Sequence, residues 1–461
     1  MPRAEASIVS DQLELDDLQH FLLTRTPALA ARYEFLSFDG ASAGRTWLAG
    51  LIDKVGTASS VGTASPDARW VTVALTWNGL RALGVDDAAL STFPEEFREG
   101  FAARAEMLGI SGASHPDHWD GGLADPAFHA IVILFARDTA ERERCEREHA
   151  EYLARIGGVR VLSSLNLHAL PPYGEPREHF GYLDRLTHPS IEGTDDTPTP
   201  GSIPAVKPGE FFLGYPDEGG GTPALPQPES LTQNGSFLAY VRLQEHVGAF
   251  RDFLRTHGGP TPEEQELMAA KLMGRWRSGA PLVLCPESDD PALGRDVQRT
   301  NDFNYAKMDP HGYGCPVGAH IRRMNPRDTA DNLGRHQIIR RGGTYGSLLP
   351  EDAADDGADR GIAAFMGCAS LVRQFEFAMN VWANDPSFKG LENERDPFAG
   401  THDGTFNMTI PKRPIRQKIA GIPAFTTIRG GAYLFLPGIR GLRFLATSGS
   451  PEKFQQARGA T

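Results

Sequence analysis

The chain has 461 residues, enough for two domains or one large one, and its 40% hydrophobic content allows a sizeable core. Its 46 basic and 59 acidic residues leave a net charge of −13 with no lysine-rich tract, which argues against nucleic acid and anionic membranes as partners. Cys145, Cys285, Cys315 and Cys368 are far apart and form no CxxC pair, and no apolar leader follows Met1, so a soluble cytoplasmic protein acting on small molecules is expected, with no metal–thiolate or disulfide framework and no membrane span.

The first half reads as strands alternating with helices. Leu18 to Leu23 is an apolar segment, Ala31 to Phe38 alternates like a half-buried strand, and Arg45 to Leu51 is a short helix. Between strand and helix lies Gly40-Ala-Ser-Ala-Gly44, a literal G-x-S-x-G that puts Ser42 where a nucleophile elbow would be. An α/β-hydrolase has built most of its sheet before its elbow, whereas only one or two strands precede Ser42. A surface turn is therefore the preferred reading and a serine hydrolase the alternative. Trp70 to Thr76, Ala127 to Ala136 and Val159 to His168 are further strands; Trp77 to Leu83, Phe97 to Leu108 and Asp138 to Ile156 have helical spacing. This β-α-β, β-α-β order predicts a ferredoxin-like unit with an antiparallel sheet. His115 and His118 share a loop with no third ligand and read as solvated.

Residues 170–235 are rich in Pro and Gly and read as a connection and the wall of a pocket. Within them Asp184 lies among apolar and aromatic neighbours, where burial would raise its pKa into the proton-shuttling range; a turn cap or a pair with Arg185 explains it equally well. From Ser236 the pattern restarts with a strand to Leu243, helices over Val247 to Thr256 and Pro262 to Trp276, and a stretch from Leu333 to Arg341. Gly361 to Asn384 contains a long helix, and Phe425 to Leu436 is a hairpin-like strand region. The second half thus reads as a larger copy of the first: two related α+β domains, residues 1–200 and 201–461.

The stretch Gly312-Tyr-Gly-Cys-Pro-Val-Gly-Ala-His-Ile-Arg-Arg-Met-Asn-Pro-Arg327 sets His320 between a Gly/Pro turn and three arginines. An imidazole held there suits the axial position of an iron whose propionates need cationic partners, although one histidine among fourteen is more often structural.

Several blocks in order resemble the dye-decolorizing peroxidases over nearly the whole chain: Asn301 to Tyr305, Gly314 to Asp328, His336 to Gly342, Arg373 to Phe377, Trp382 to Pro386 and Arg429 to Tyr433. The resemblance implies duplicated ferredoxin-like domains of the dimeric α+β barrel type, haem b in the C-terminal half, and hydrogen-peroxide-dependent oxidation of bulky aromatic or phenolic donors and dyes. A homodimer is compatible with it. It assigns His320 as the iron ligand, Asp396 as the carboxylate accepting its ring N–H, Arg340 as the distal arginine and Asp184 as the distal acid, with Arg323 among the cofactor contacts and an activity peak at acid pH. The family marks its distal aspartate with G-x-x-D-G, and the literal string occurs at Gly400 to Gly404; Gly181-Tyr-Leu-Asp-Arg185 has the right surroundings, with Pro189 and Ile191-Glu-Gly193 after it, and is preferred. The chain departs from the family at Arg185 for the last glycine, His188 for a glutamine and Ala364 for a larger apolar residue, which keeps open the alternative of a haem-binding protein with weak or no peroxidase activity. Trp382 or Tyr345 would be candidates to relay electrons from the surface, with core packing the preferred reading for both.

Overall fold

A computed structural model describes residues 13–23, 30–60, 70–171, 175–194 and 204–447, so the expected domain boundary at 200 lies outside the described residues. The strands are β1 (Ala30–Phe38), β2 (Val71–Leu75), β3 (Ala130–Ala136), β4 (Val159–His168), β5 (Ser236–Glu245), β6 (Ile339–Tyr345), β7 (Gly361–Cys368), the short hairpin β8 (Asn407–Ile410) and β9 (Gln417–Ala420), and β10 (Thr426–Leu436). Eight of them close a barrel in the order β1-β3-β2-β10-β5-β7-β6-β4. Numbering the strands of each half in chain order, both halves follow 4-1-3-2, the ferredoxin-like order, and every pairing is antiparallel. The duplicated α+β barrel expected from the sequence is what the chain forms.

The halves meet at two thin seams, Phe435 opposite Leu75 and Leu167 opposite Tyr345. Inside the barrel, aromatic rings from both halves interlock: Tyr240 lies 5.5 Å from Phe35 and 4.9 Å from Phe365, and Tyr33 lies 5.4 Å from Phe365. β2 and β3 are buried along their whole length, or nearly so, because one face looks into this interior and the other lies under helices. That explains their unbroken apolar runs. The helix Thr139–Ile156 starts where Asp138 caps the Glu141 amide, and it packs on β3 and β1.

Three expectations change. Gly361 to Cys368 is a strand, and the helical region begins only after it, with wide-wound turns over Val372–Glu376 and Ala378–Asn384. Phe425 to Leu436 is no hairpin but the single strand β10, bulged between Ile428 and Gly430 where it pairs with β5. Phe97 to Leu108 is two short helices, Glu95–Glu99 and Phe101–Arg104, broken at Gly100.

Ser42 follows the turn from β1 into the helix Ala41–Ala49, where it is exposed as the second helical residue, and Gly44 is buried against Phe38 and Leu83. Among the described residues no histidine bonds it. The geometry of a serine hydrolase is missing.

Candidate functional site

The loop before His320 is tied down from several sides. Asp309 accepts the amides of Gly314 (3.2 Å) and Cys315 (2.8 Å) and pairs with Arg322 (3.2 Å), while Lys271 donates to the carbonyls of Tyr313 and Gly314. The short helix His320–Met324 then begins at His320 itself. Its Nδ1 lies 2.9 and 3.0 Å from the two oxygens of Asp396, and its ring meets Phe398 edge-on at 5.9 Å. Asp396 is wholly buried and also accepts the amides of Phe398 (2.9 Å) and Ala399 (2.8 Å). Burial would push its pKa up; the His320 ring and the amides outweigh that and hold it below the usual carboxylate range. Among the described residues no partner meets His320 Nε2. The literal G-x-x-D-G string lies under this arrangement: Gly400 N and His402 Nε2 contact Asp396 O, and Asp403 is exposed and bonds Thr405.

Arg323, expected at the cofactor, has other work. Its guanidinium is fully buried and donates to the carbonyls of Trp382 (2.7 Å), Glu394 (3.2 Å), Ala383 (3.5 Å) and Asp385 (2.7 Å). These carbonyls lie at the end of Ala378–Asn384 and on the stretch of chain leading to Asp396, whose own amide donates to Ala383 O at 2.9 Å, so Arg323 caps that helix and fixes the backbone beside the carboxylate. The other two arginines of the cluster are also buried and donate to protein acceptors: Arg322 to Asp309 and to Cys315 O, Arg327 to the carbonyls of Asn301 and Phe303.

On the other side, Arg340 stands on the outer face of β6 and is exposed, opposite Met366 of β7. Ile362, Ala364 and Met366 alternate with inward-facing Ala363 and Phe365, so they share that outer face. Val241, Leu243 and Met366 of this face belong to or pack against one apolar cluster with Met324 and Ala399 from the His320 side. The face of β5-β7-β6 and the His320 layer thus bound one region.

Arg340 Nη2 donates to Thr187 O at 3.1 Å, which places it beside the segment carrying Asp184. Asp184 is exposed, not buried as the sequence reading considered. Arg185, where the family has glycine, takes a left-handed φ of 63°.

Asn301 was quoted in the sequence only as part of a block, with no role. In the structure it donates to Leu186 O (2.8 Å) and accepts from Thr187 (2.9 Å) and Arg275 (2.8 Å), while Arg327 holds its carbonyl. It therefore ties the Asp184 segment to the base of the loop that leads to His320. Trp382, 5% exposed, packs with Phe377 and His336, and Tyr345 is buried with its hydroxyl on Asp359.

A closed barrel of duplicated antiparallel sheets, carrying a carboxylate-backed histidine and an exposed arginine beside the Asp184 segment, is the class of protein this chain forms. No family model matches the chain. It is 31% identical to a dye-decolorizing peroxidase of Mycena epipterygia, covering 95% of this chain and 88% of the relative, and 28% identical to the multifunctional dye peroxidase DyP2 of an Amycolatopsis species, covering 96% and 97%. A solved dye-decolorizing peroxidase in complex with 2,6-dimethoxyphenol superposes with a TM-score of 0.82 at 26% identity, over 95% of this chain and all of that one. An ancestral D-type member does so with a TM-score of 0.82 at 27% identity, over 94% and 99%.

The chain belongs to the dye-decolorizing peroxidase family. It is a haem peroxidase that oxidises aromatic donors and dyes with hydrogen peroxide. The residues present fit such a group. Among the described residues no cluster of three His, Cys, Asp or Glu side chains could hold a bare ion, whereas one imidazole with its Nδ1 committed to a carboxylate and its Nε2 free suits an iron that brings its other donors with it. No helix among the described residues is long and apolar enough to cross a membrane.

Proposed function

We propose that His320 Nε2 holds the iron of haem b, that Asp396 keeps the proton on His320 Nδ1, and that Asp184 and Arg340 handle peroxide on the opposite face. The observation that carries this is the buried Asp396 carboxylate clasping Nδ1 at 2.9 Å while Nε2 is left without a partner among the described residues. An anionic acceptor at Nδ1 fixes the tautomer and makes the imidazole a stronger donor. When bound, haem supplies the two-electron reduction of peroxide and the one-electron steps that oxidise donors. Asp184 moves a proton from one peroxide oxygen to the other, and the Arg340 guanidinium offsets the negative charge that develops as the O–O bond breaks. Support for pairing these two comes from the Arg340 bond to Thr187 O on the Asp184 segment.

Donors of the size of 2,6-dimethoxyphenol, the ligand of the solved relative, are the proposed reductants. A cytoplasmic location is proposed because all four cysteines are free and three of them are buried.

His320→Ala should abolish the Soret band of the normally ligated holoenzyme, and an unchanged Soret band with unchanged turnover would overturn the ligand assignment. Asp184→Asn and Arg340→Leu should each keep the haem but lower the rate with peroxide by roughly 100-fold or more.

A further inference from the structure

The segment that carries Asp184 begins with a turn built on two carboxyl groups. Glu178 folds back over the turn, its Oε2 accepting the Phe180 amide and its Oε1 the Tyr182 amide, both at 2.7 Å. Glu245, the last residue of β5 and 5% exposed, accepts the intervening His179 amide at 3.2 Å. The two side chains therefore converge on one stretch of backbone, close enough for the charge of Glu178 to act on Glu245. Carboxylates carry no donor, so the two can hydrogen-bond each other only while one proton sits between them.

The surroundings leave the pair its negative character. Arg277 faces Glu178, but its guanidinium donates to Phe180 O (2.8 Å) and pairs with Glu266; Arg177 donates to the carbonyls of Gly181 and Arg277. On the β7 side, Arg360 bonds Ser347 O and Asp356. Of the neighbouring histidines, His179 Nε2 lies on Tyr345 O and His246 on Thr427. Asp184 acts on both carboxyls as a further negative charge. Burial first, then at Glu245 the charge of Glu178, with Asp184 adding least, pushes both above the ordinary carboxylate range against the amide contacts and Arg277, which favour the charged form.

We propose that a proton shared by Glu178 and Glu245 fastens the turn of Asp184 to the end of β5, which makes the pair the positioning element for the acid–base group. The proposal rests on the reading of Asp184 given above. With the proton present, contacts at residues 179, 180 and 182 hold the turn, the first of them reaching across to β5. Once the proton leaves, the buried Glu245 and half-buried Glu178 carboxylates face each other with Asp184 as a third, and the turn separates from β5. Alkaline pH thus withdraws Asp184 from Arg340 without any change at His320.

Glu245→Gln tests this, because its amide supplies a permanent donor to Glu178 and does not titrate. Hydrogen exchange at the amides of His179, Phe180 and Tyr182 is followed in the holoenzyme without peroxide between about pH 5 and 9 and corrected for intrinsic exchange. Wild-type protection should fall about tenfold or more across that range and Glu245→Gln protection should stay level; Glu245→Ala should be poorly protected throughout. The rate of reaction with peroxide should decline on the alkaline side in step with the wild-type exchange, and that limb should move up by about one pH unit or more in Glu245→Gln. Identical pH profiles of exchange in wild type and Glu245→Gln overturn the proposal, and so does a changed exchange profile with an unmoved rate profile. Should Glu245→Gln fail to fold, Glu178→Gln places the donor on the other partner and gives the same comparison. The exchange arm needs no turnover, so it judges the fastening even if Asp184→Asn leaves the rate intact, the result that would instead remove Asp184 from its assigned role.

Discussion

Asp396 shows how one buried charge can be kept. It has no exposed surface, yet it faces an imidazole N–H and two backbone amides, and those interactions outweigh the cost of burial. Asp396→Asn keeps the shape and an acceptor oxygen for His320 Nδ1 but removes the charge. The loss expected is about 10- to 100-fold in haem retention or in rate, read by competition for haem with an apo-globin and by peroxide kinetics. Arg185 illustrates the reverse case, a residue kept where the backbone disfavours it. A non-glycine at φ 63° carries about 1–2 kcal/mol of steric cost, of which glycine would recover part after its larger entropy loss on folding. Arg185→Gly should therefore stabilise the protein by about 0.5–1 kcal/mol, a rise in Tm of about 0.5–1 °C by calorimetry. The glycine of the family motif is thus explained by backbone conformation, a reason the departure at 185 did not disclose from sequence alone. Nor could spacing reveal the pairing of His320 with Asp396, which lie 76 positions apart; only the resemblance brought them together.

At the scale of elements, the misread segments share a cause. Strand patterns are legible when polar side chains mark one face, as Arg32 and Glu34 do in the largely buried β1 and as the half-exposed β4 shows; both are placed to within a residue or so. β7 has no such face: its inward residues fill the barrel, and its outward Ile362, Ala364 and Met366 are apolar because they look onto the site rather than onto solvent. Its period-2 signal is therefore absent. In β10 the Arg429-Gly-Gly431 sequence suggested a turn, but Gly430 and Gly431 lack side chains because Leu123 and Phe101 press against the strand there. The wide-wound helix after β7 depends on Arg323, which reaches across from the His320 helix to the carbonyls of Trp382, Ala383 and Asp385. Arg323→Met would fill the space and take the guanidinium away from all four carbonyls, leaving Trp382 O and Glu394 O without its hydrogen bonds while Ala383 O keeps the Asp396 amide. The expected destabilisation is about 3–5 kcal/mol by urea unfolding, with Arg323→Lys restoring less than half, since one ammonium cannot span the set. Retention of wild-type stability in Arg323→Met would show that water replaces the guanidinium.

The whole molecule sets a limit that the site alone would not. The barrel halves share their interior rings and meet at two single-pair seams, and His179 adds a tie from the Asp184 segment to β6 through Tyr345 O at 2.8 Å. His20, fully buried, bonds Gly56 O in the same way at 3.2 Å. Burial first, only partly offset by these carbonyl contacts, takes both imidazoles down to about 4 from an ordinary 6.5. A folded-state pKa below the unfolded one means that between pH 4 and 6.5 the unfolded chain binds more protons, so their contribution to stability is complete above 6.5 and is lost as pH falls toward 4. Each histidine accounts for roughly 3 kcal/mol over that window, opposed by the Glu178 and Glu245 pair, which favours the acid side. Tm should climb from pH 4 to 6.5 and then decline as the Glu178 and Glu245 pair loses its proton, and His20→Asn, which can keep a donor to Gly56 O, should remove about half of the histidine contribution to the climb. The acid–base step at Asp184 pulls the other way, toward acid pH. Initial rates should accordingly be highest near the acid end while the half-life of the enzyme is shortest there, so total product per enzyme should peak at a higher pH than the initial rate. Measuring both quantities on one preparation decides it: coincident optima would mean that unfolding does not limit the enzyme at acid pH.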